Sequence, residues 1–107
     1  MSQVVFSEAA RNGRREITAY TVERFGIQQA RRLREQFQAT LSRLAESPLL
    51  GRSNKELDPE GHSFRYFVVM KSFLIVYEPT DEGIRVARLL QGARNLAAEL
   101  DRNAGNN

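Results

Sequence analysis

The chain has 107 residues and a mass of 12.2 kDa, enough to enclose one modest core and one functional surface but not a second domain. It contains no cysteine and a single histidine, His62, which excludes disulfides, thiol catalysis, Cys-containing zinc sites and paired-histidine metal sites. The net charge is only +3, yet the basic residues are fourteen arginines and two lysines, a bias toward the side chain that pairs bidentately with carboxylate or phosphate.

The charge is unevenly placed. Residues 11–44 carry eight arginines against three glutamates, whereas residues 45–84 carry four basic groups against seven acidic ones. Such a two-sided molecule suits a nucleic acid or an acidic protein, and the plainer alternative is a solvated helix face laced with charge. No apolar run reaches the length of a membrane span, and Met1-Ser2-Gln3 leads straight into Val4-Val5-Phe6 without the basic region and cleavage site of a signal peptide. A cytoplasmic protein with no membrane partner is expected.

In chain order, Val4-Val5-Phe6 reads as a short strand, and Ser7 followed by Glu8 as a helix N-cap with a first-turn acid. A first helix then runs from Ala9 to Phe25, with Ala10, Gly13, Ile17, Tyr20 and Phe25 near helical spacing and Gly26 at its end. Tyr20 and Phe25 are expected in the core. A glycine inside a helix costs about 1 kcal/mol relative to alanine, so Gly13 points either to the close approach of another helix or to simple tolerance near a helix end. In the second helix Ile27, Ala30, Leu33, Phe37, Leu41 and Leu44 draw one apolar stripe, flanked by Arg31, Arg32, Arg34 and Arg43. Ser47-Pro48 stops it, and the two helices fold back as an antiparallel hairpin whose Leu33 and Phe37 meet the sheet. Leu49 to Gly61 shows no clear period and reads as a loop. Its alternating Glu56, Asp58 and Glu60 lack the ligand count and spacing of a calcium loop, so no metal and no cofactor are expected.

The stretch Ser63–Asn95 organises the rest. Its runs Phe64–Met70, Phe73–Tyr77 and Ile84–Leu90 are rich in Val, Ile, Phe and Tyr, the signature of a three-stranded antiparallel meander. Lys71-Ser72 marks a tight reversal and Glu78–Gly83 a wider one, because Pro79 cannot continue a central strand. Arg65, Arg85, Arg88 and Arg94 recur among residues that must be buried. They are candidates for function, weighed against the structural role of tying strands together or pairing with Glu78, Asp81 or Glu82. Ala93–Leu100 reads as a short closing helix, which gives a domain over residues 1–101 and a disordered tail over 102–107. The fold class is α+β in the order β-α-α-β-β-β: a two-helix hairpin packed on a small antiparallel sheet, with a short C-terminal helix.

Read with its residues, the chain resembles a known family. The matching pieces are Val5-Phe6-Ser7-Glu8-Ala9-Ala10, Tyr20 through Phe25-Gly26, Ala30, Leu44-Ala45-Glu46-Ser47-Pro48 with Gly51-Arg52, Phe64-Arg65, Leu74-Ile75-Val76-Tyr77-Glu78, and Val86 through Asn95. Each piece is weak alone. Their order and spacing over nearly the whole chain resemble the ParE branch of the RelE/ParE toxins of bacterial type II toxin–antitoxin systems. The resemblance implies a first strand lying beside the last. It also implies two possible activities. RelE-like members are ribosome-dependent mRNA endonucleases, many of which use a C-terminal Tyr or His for proton transfer, and Gln91 to Asn107 holds neither. ParE-like members lack that set and poison DNA gyrase. The implied function is a non-enzymatic gyrase inhibitor neutralised by a ParD-like antitoxin, with DNA reached only through those partners. The alternatives are the mRNA endonuclease and a basic interaction module without toxic activity. The target-binding surface is expected at Arg65, Lys71, Arg85, Arg88 and Arg94. Antitoxin contacts are expected at Arg11, Gly13, Arg14, Arg15, Arg24, Arg31 and Arg34, where the arginine excess would complement an acidic amphipathic helix.

Overall fold

The computed structural model describes residues 2–92. In chain order it gives β1 (Gln3–Phe6), α1 (Glu8–Phe25), α2 (Ile27–Glu46), β2 (Arg52–Ser53), β3 (Arg65–Val69), β4 (Phe73–Thr80) and β5 (Gly83–Gln91). The expected closing helix, the tail and Arg94 lie outside the described residues. The strands form one sheet in the order β1-β5-β4-β3-β2. The meander β3–β4–β5 is antiparallel, while β1 joins β5 in parallel, from Gln3 opposite Gly83 to Phe6 opposite Val86. The α+β class and the first strand beside the last are therefore present, with two differences from expectation: one edge is parallel, and a two-residue strand, β2, lies within the stretch read as loop.

Local chemistry explains the joints. Ser7 Oγ accepts the Ala10 N–H at 3.0 Å, capping α1, and donates to the Ala87 carbonyl of β5 at 2.7 Å. A cap worth about 1 kcal/mol thus also fixes the helix start to the sheet. Gly26, at φ 90°, ends α1 and opens α2 without an intervening loop. Such a connection forces the two helices into an antiparallel pair on one face of the sheet.

The principal core lies between that pair and the sheet. Leu33, Phe37, Leu41 and Leu44 of α2 and Ala10 and Ile17 of α1 meet Val69, Ile75, Tyr77, Ile84, Val86 and Leu89. Phe37 stands edge-on to Phe73, ring centroids 5.5 Å apart. Alternate residues of β4 face the other way, and Leu74 and Val76 build a second cluster with Phe64, Tyr66, Ala87 and Leu90. Leu57 of the β2–β3 connection packs against it. That connection is anchored by Asp58, whose Oδ1 accepts the Phe64 N–H at 3.1 Å and the Tyr66 hydroxyl at 2.7 Å. A sheet covered on both faces explains why β4 reads as an unbroken apolar run.

Expectations at five residues are corrected: Tyr20, Phe25, Ile27, Gly13 and Pro79. Phe25 is 65% exposed and Ile27 60%, and Tyr20 is exposed too, because the hairpin elbow extends past the sheet that would cover them. The buried positions of α1 are Ala10, Ile17 and Thr21, with the Thr21 hydroxyl donating to the Ile17 carbonyl at 2.7 Å. Gly13 faces a strand rather than a helix: a Cβ there would collide with the Leu89 carbonyl of β5. Pro79 does continue β4, opposite Ile84. It can do so because β3 reaches only as far as Tyr77, so this end of β4 is locally an edge, where a missing N–H is tolerated.

Candidate functional site

A groove of about 440 Å³ lies between the two helices. Its floor is apolar, made by Ile17, Leu33, Phe37 and Leu41 with Leu89 of β5 beneath, and Arg14, Arg15 and Arg34 stand at its rim. The α2 stripe supplies the floor: Leu33, Phe37 and Leu41 belong to the buried core and line the groove as well. Arg14 is steadied by the Phe6 ring, its guanidinium carbon 4.7 Å from the ring centroid. That contact limits the conformational entropy lost when the arginine pairs with a carboxylate. An apolar trough with a cationic rim accepts an amphipathic acidic helix far better than a polar or basic one.

Of the residues expected to meet an antitoxin, the groove gathers Arg14, Arg15 and Arg34. Arg11 and Arg31 are exposed but do not line it. Arg24 lies over the Tyr20 ring, 5.4 Å from its centroid, in the last turn of α1. Gly13 serves the helix–sheet contact instead.

Of the expected target-binding residues, the four that are described, Arg65, Lys71, Arg85 and Arg88, make separate contacts rather than one site. Arg65 Nη1 donates to the Gly51 carbonyl at 2.7 Å and the Leu49 carbonyl at 3.2 Å, so this guanidinium holds the chain between α2 and β2. Arg85 pairs with Glu78 at 3.5 Å on an exposed face. Arg88 is half-buried and borders a second cleft, of about 360 Å³, with Asn12, Gly13 and Glu16 of α1. Lys71 stands exposed at the β3–β4 tip, where Met70 and Lys71 adopt φ of 53° and 64°, a left-handed backbone uncommon outside glycine.

One residue of consequence was missed in the sequence. Tyr77 is fully buried, and its hydroxyl accepts the Gly51 N–H at 2.8 Å while donating to the Pro48 carbonyl at 2.7 Å. The signal was available: a tyrosine in the middle of an aliphatic strand needs a polar partner. Burial raises its pKa, opposed by the Gly51 hydrogen bond and the Arg65 charge. Tyr66 is raised too, by burial first and then by the hydrogen bond and charge of Asp58. Both phenols stay protonated through neutral pH and act as fixed donors. Among the described residues no three His, Cys, Asp or Glu side chains are grouped as a metal site, and no helix is long and apolar enough to cross a membrane.

A family model described as the ParE toxin of the type II toxin–antitoxin system parDE matches residues 4–96. The chain belongs to the ParE toxin family. The span runs from within β1 to beyond β5, so the family assignment includes the residues that line the groove. Among solved structures, this ParE toxin superposes on a chain from the chromosomal ParDE toxin–antitoxin system of P. aeruginosa with a TM-score of 0.67. The match has 15% sequence identity and covers 86% of this chain and 97% of the other. At that identity the likeness is one of fold. No curated protein matches the toxin in sequence.

Proposed function

We propose that this ParE toxin is held inactive by a ParD-like antitoxin that lays an acidic amphipathic helix along the α1–α2 groove, and that the released toxin inhibits DNA gyrase and thereby replication. The observation that carries the first half is the groove: an apolar floor of Ile17, Leu33, Phe37 and Leu41 under a rim of Arg14, Arg15 and Arg34. Apolar anchors supply most of the affinity of such a complex, and rim charges fix register and speed encounter. Arg14→Glu combined with Arg34→Glu therefore slows association with the antitoxin by roughly tenfold while changing dissociation less. Arg31→Glu, outside the groove, serves as the control. An association rate unchanged in the double variant removes the groove from the interface.

The gyrase half is supported by family membership and by the absence of Tyr and His after Gln91. Purified toxin is expected to inhibit gyrase supercoiling, and expression without antitoxin to give filamentous cells with a DNA-damage response while bulk translation continues at first. Ribosome-dependent mRNA cleavage with no effect on supercoiling would overturn this in favour of the endonuclease. A gyrase target requires a cytoplasmic toxin. Of the basic residues assigned to the target surface, Arg85 gives the cleanest test, since its exposed ion pair with Glu78 contributes at most about 1 kcal/mol to stability. Lost toxicity in Arg85→Ala with an unchanged melt marks a target contact.

A further inference from the structure

β1 is shorter than the strand it joins. It pairs with β5 only from Gly83 to Val86, whereas β5 continues to Gln91. After Phe6 the chain turns through the Ser7 cap, and α1 runs over the edge of β5 that a longer β1 would have covered. At Gly13 the helix lies directly on the strand, since a Cβ there would collide with the Leu89 carbonyl. A further strand therefore has no room at that point. Beside the contact lies the cleft of about 360 Å³, at the small end of the range for ligand pockets. It admits a small molecule rather than a length of chain.

The cleft is polar and carries both signs of charge. Ala9, Asn12, Gly13 and Glu16 recur at helical spacing and give α1 one face along it, while β5 contributes Arg88 and Gln91. In the β4–β5 ladder Tyr77 lies opposite Val86 and Val76 opposite Arg88, which leaves Ala87 as an extra residue. A bulge of this kind bends its strand and re-aims the neighbouring side chain, which accounts for Arg88 reaching the cleft. The main chain adds to the lining. The Gly92 N–H donates to the Ser72 carbonyl at 2.8 Å, on the β4 side; by alternation the main-chain groups of Gln91 turn the other way.

Glu16 and Arg88 line one cleft without pairing with each other, the ion pair among the described residues being Arg85 with Glu78. Opposite charges held apart in this way select their occupant. A simple anion is repelled by Glu16 and a simple cation by Arg88. A zwitterion satisfies both, its ammonium donating to the carboxylate and its own carboxylate accepting from the guanidinium. The amides of Asn12 and Gln91 supply neutral donors and acceptors, which suit an uncharged polar side chain.

We propose that this cleft binds a free α-amino acid with an uncharged polar side chain, its ammonium on Glu16 and its carboxylate on Arg88. The site shares no charged residue with the helical groove and does not rest on the antitoxin assignment. The test titrates the full chain with L-glutamine, with glutaramic acid, which lacks the ammonium, and with L-glutamine amide, which lacks the carboxylate. Backbone amide shifts give both location and affinity. The expected result is saturable binding of glutamine that shifts Asn12, Gly13 and Gln91, with each single-charge analogue about tenfold or more weaker. Glu16→Gln, on an exposed side chain, lowers glutamine to the level of glutaramic acid and does not weaken glutaramic acid itself. Arg88→Gln does the converse with glutamine amide; its melt checks folding, and Glu16→Gln carries the test alone should that variant unfold. Absence of saturable glutamine binding, equal affinity for the three compounds, or shifts confined to the α1–α2 groove overturns the proposal. An equal loss of glutamine and glutaramic acid in Glu16→Gln also overturns it, because that residue then shapes the cleft without meeting the ammonium.

Discussion

Replacing Tyr77 with phenylalanine tests how the chain between α2 and β2 is held. The substitution keeps the ring, which is fully buried among Leu44, Ile75 and Val86 in the principal core, and removes only the oxygen that accepts the Gly51 N–H and donates to the Pro48 carbonyl. Two hydrogen bonds are lost at about 1 kcal/mol each, and a buried N–H at Gly51 left without a partner adds about 1–2 kcal/mol. The sum is on the order of 3 kcal/mol, a large share of the 5–15 kcal/mol typical of a small domain. At this chain length it corresponds to a fall in Tm of about 10–20 °C. Urea melts give the stability change, and hydrogen exchange at the Gly51 amide reports the local release. Gly51→Ala approaches the same junction from the other side, since its Cβ would lie 2.5 Å from Tyr77 Oη and 2.7 Å from Cε1, and it should destabilise comparably. A Tyr77→Phe protein within about 0.5 kcal/mol of the parent, with unchanged exchange at Gly51, would refute the reasoning.

Other outcomes follow from the packing. Gly13→Ala, favourable by helix propensity alone, should instead destabilise by about 1–3 kcal/mol because its Cβ meets the Leu89 carbonyl; a thermal melt decides the sign. Phe37→Ala removes the edge-on partner of Phe73 and should cost about 3–5 kcal/mol through the cavity left under α2, read from denaturant melts. Tyr66 is held in its neutral form, its pKa raised above the ordinary 10.0. Its contribution to stability is therefore fully present below pH 10.0 and is lost as the pH rises through the higher folded value. Melts on either side of that pH should show this decline in the parent and a shallower one in Tyr66→Phe, the remainder coming from Tyr77.

How much of this was legible in the sequence varies with the kind of signal. Leu33, Phe37, Leu41 and Leu44 were readable because burial on one helix face imposes a period that side-chain chemistry records. Ile27 and Phe25 keep the spacing but not the burial, since periodicity says nothing of where the sheet beneath a helix ends. Ser7 was readable as a cap because the N-terminal turn needs an oxygen acceptor; its second bond, to Ala87, joins residues 80 apart and leaves no local trace. Two paired residues suffice for β2, too few to show alternation. Arg65 illustrates the limit for the candidate site. Sequence shows a cation among apolar neighbours, whereas its role depends on the Leu49 and Gly51 carbonyls it meets. The groove was half legible: the arginine excess of residues 11–44 pointed to the hairpin, but only packing separates Arg14, Arg15 and Arg34 from Arg11, Arg24 and Arg31.

The bond between Ser7 and Ala87 also sets a schedule. Because β1 pairs with β5 and the cap of α1 rests on it, the first strand has no partner until β5 has been made, about 80 residues later. The helical hairpin can form early from local contacts, but Leu89 completes the floor of its groove and Ile84, Val86 and Leu89 complete its core. Non-local closure of this kind comes late in folding. The groove and the core beneath it are therefore completed together, only when β5 joins β1.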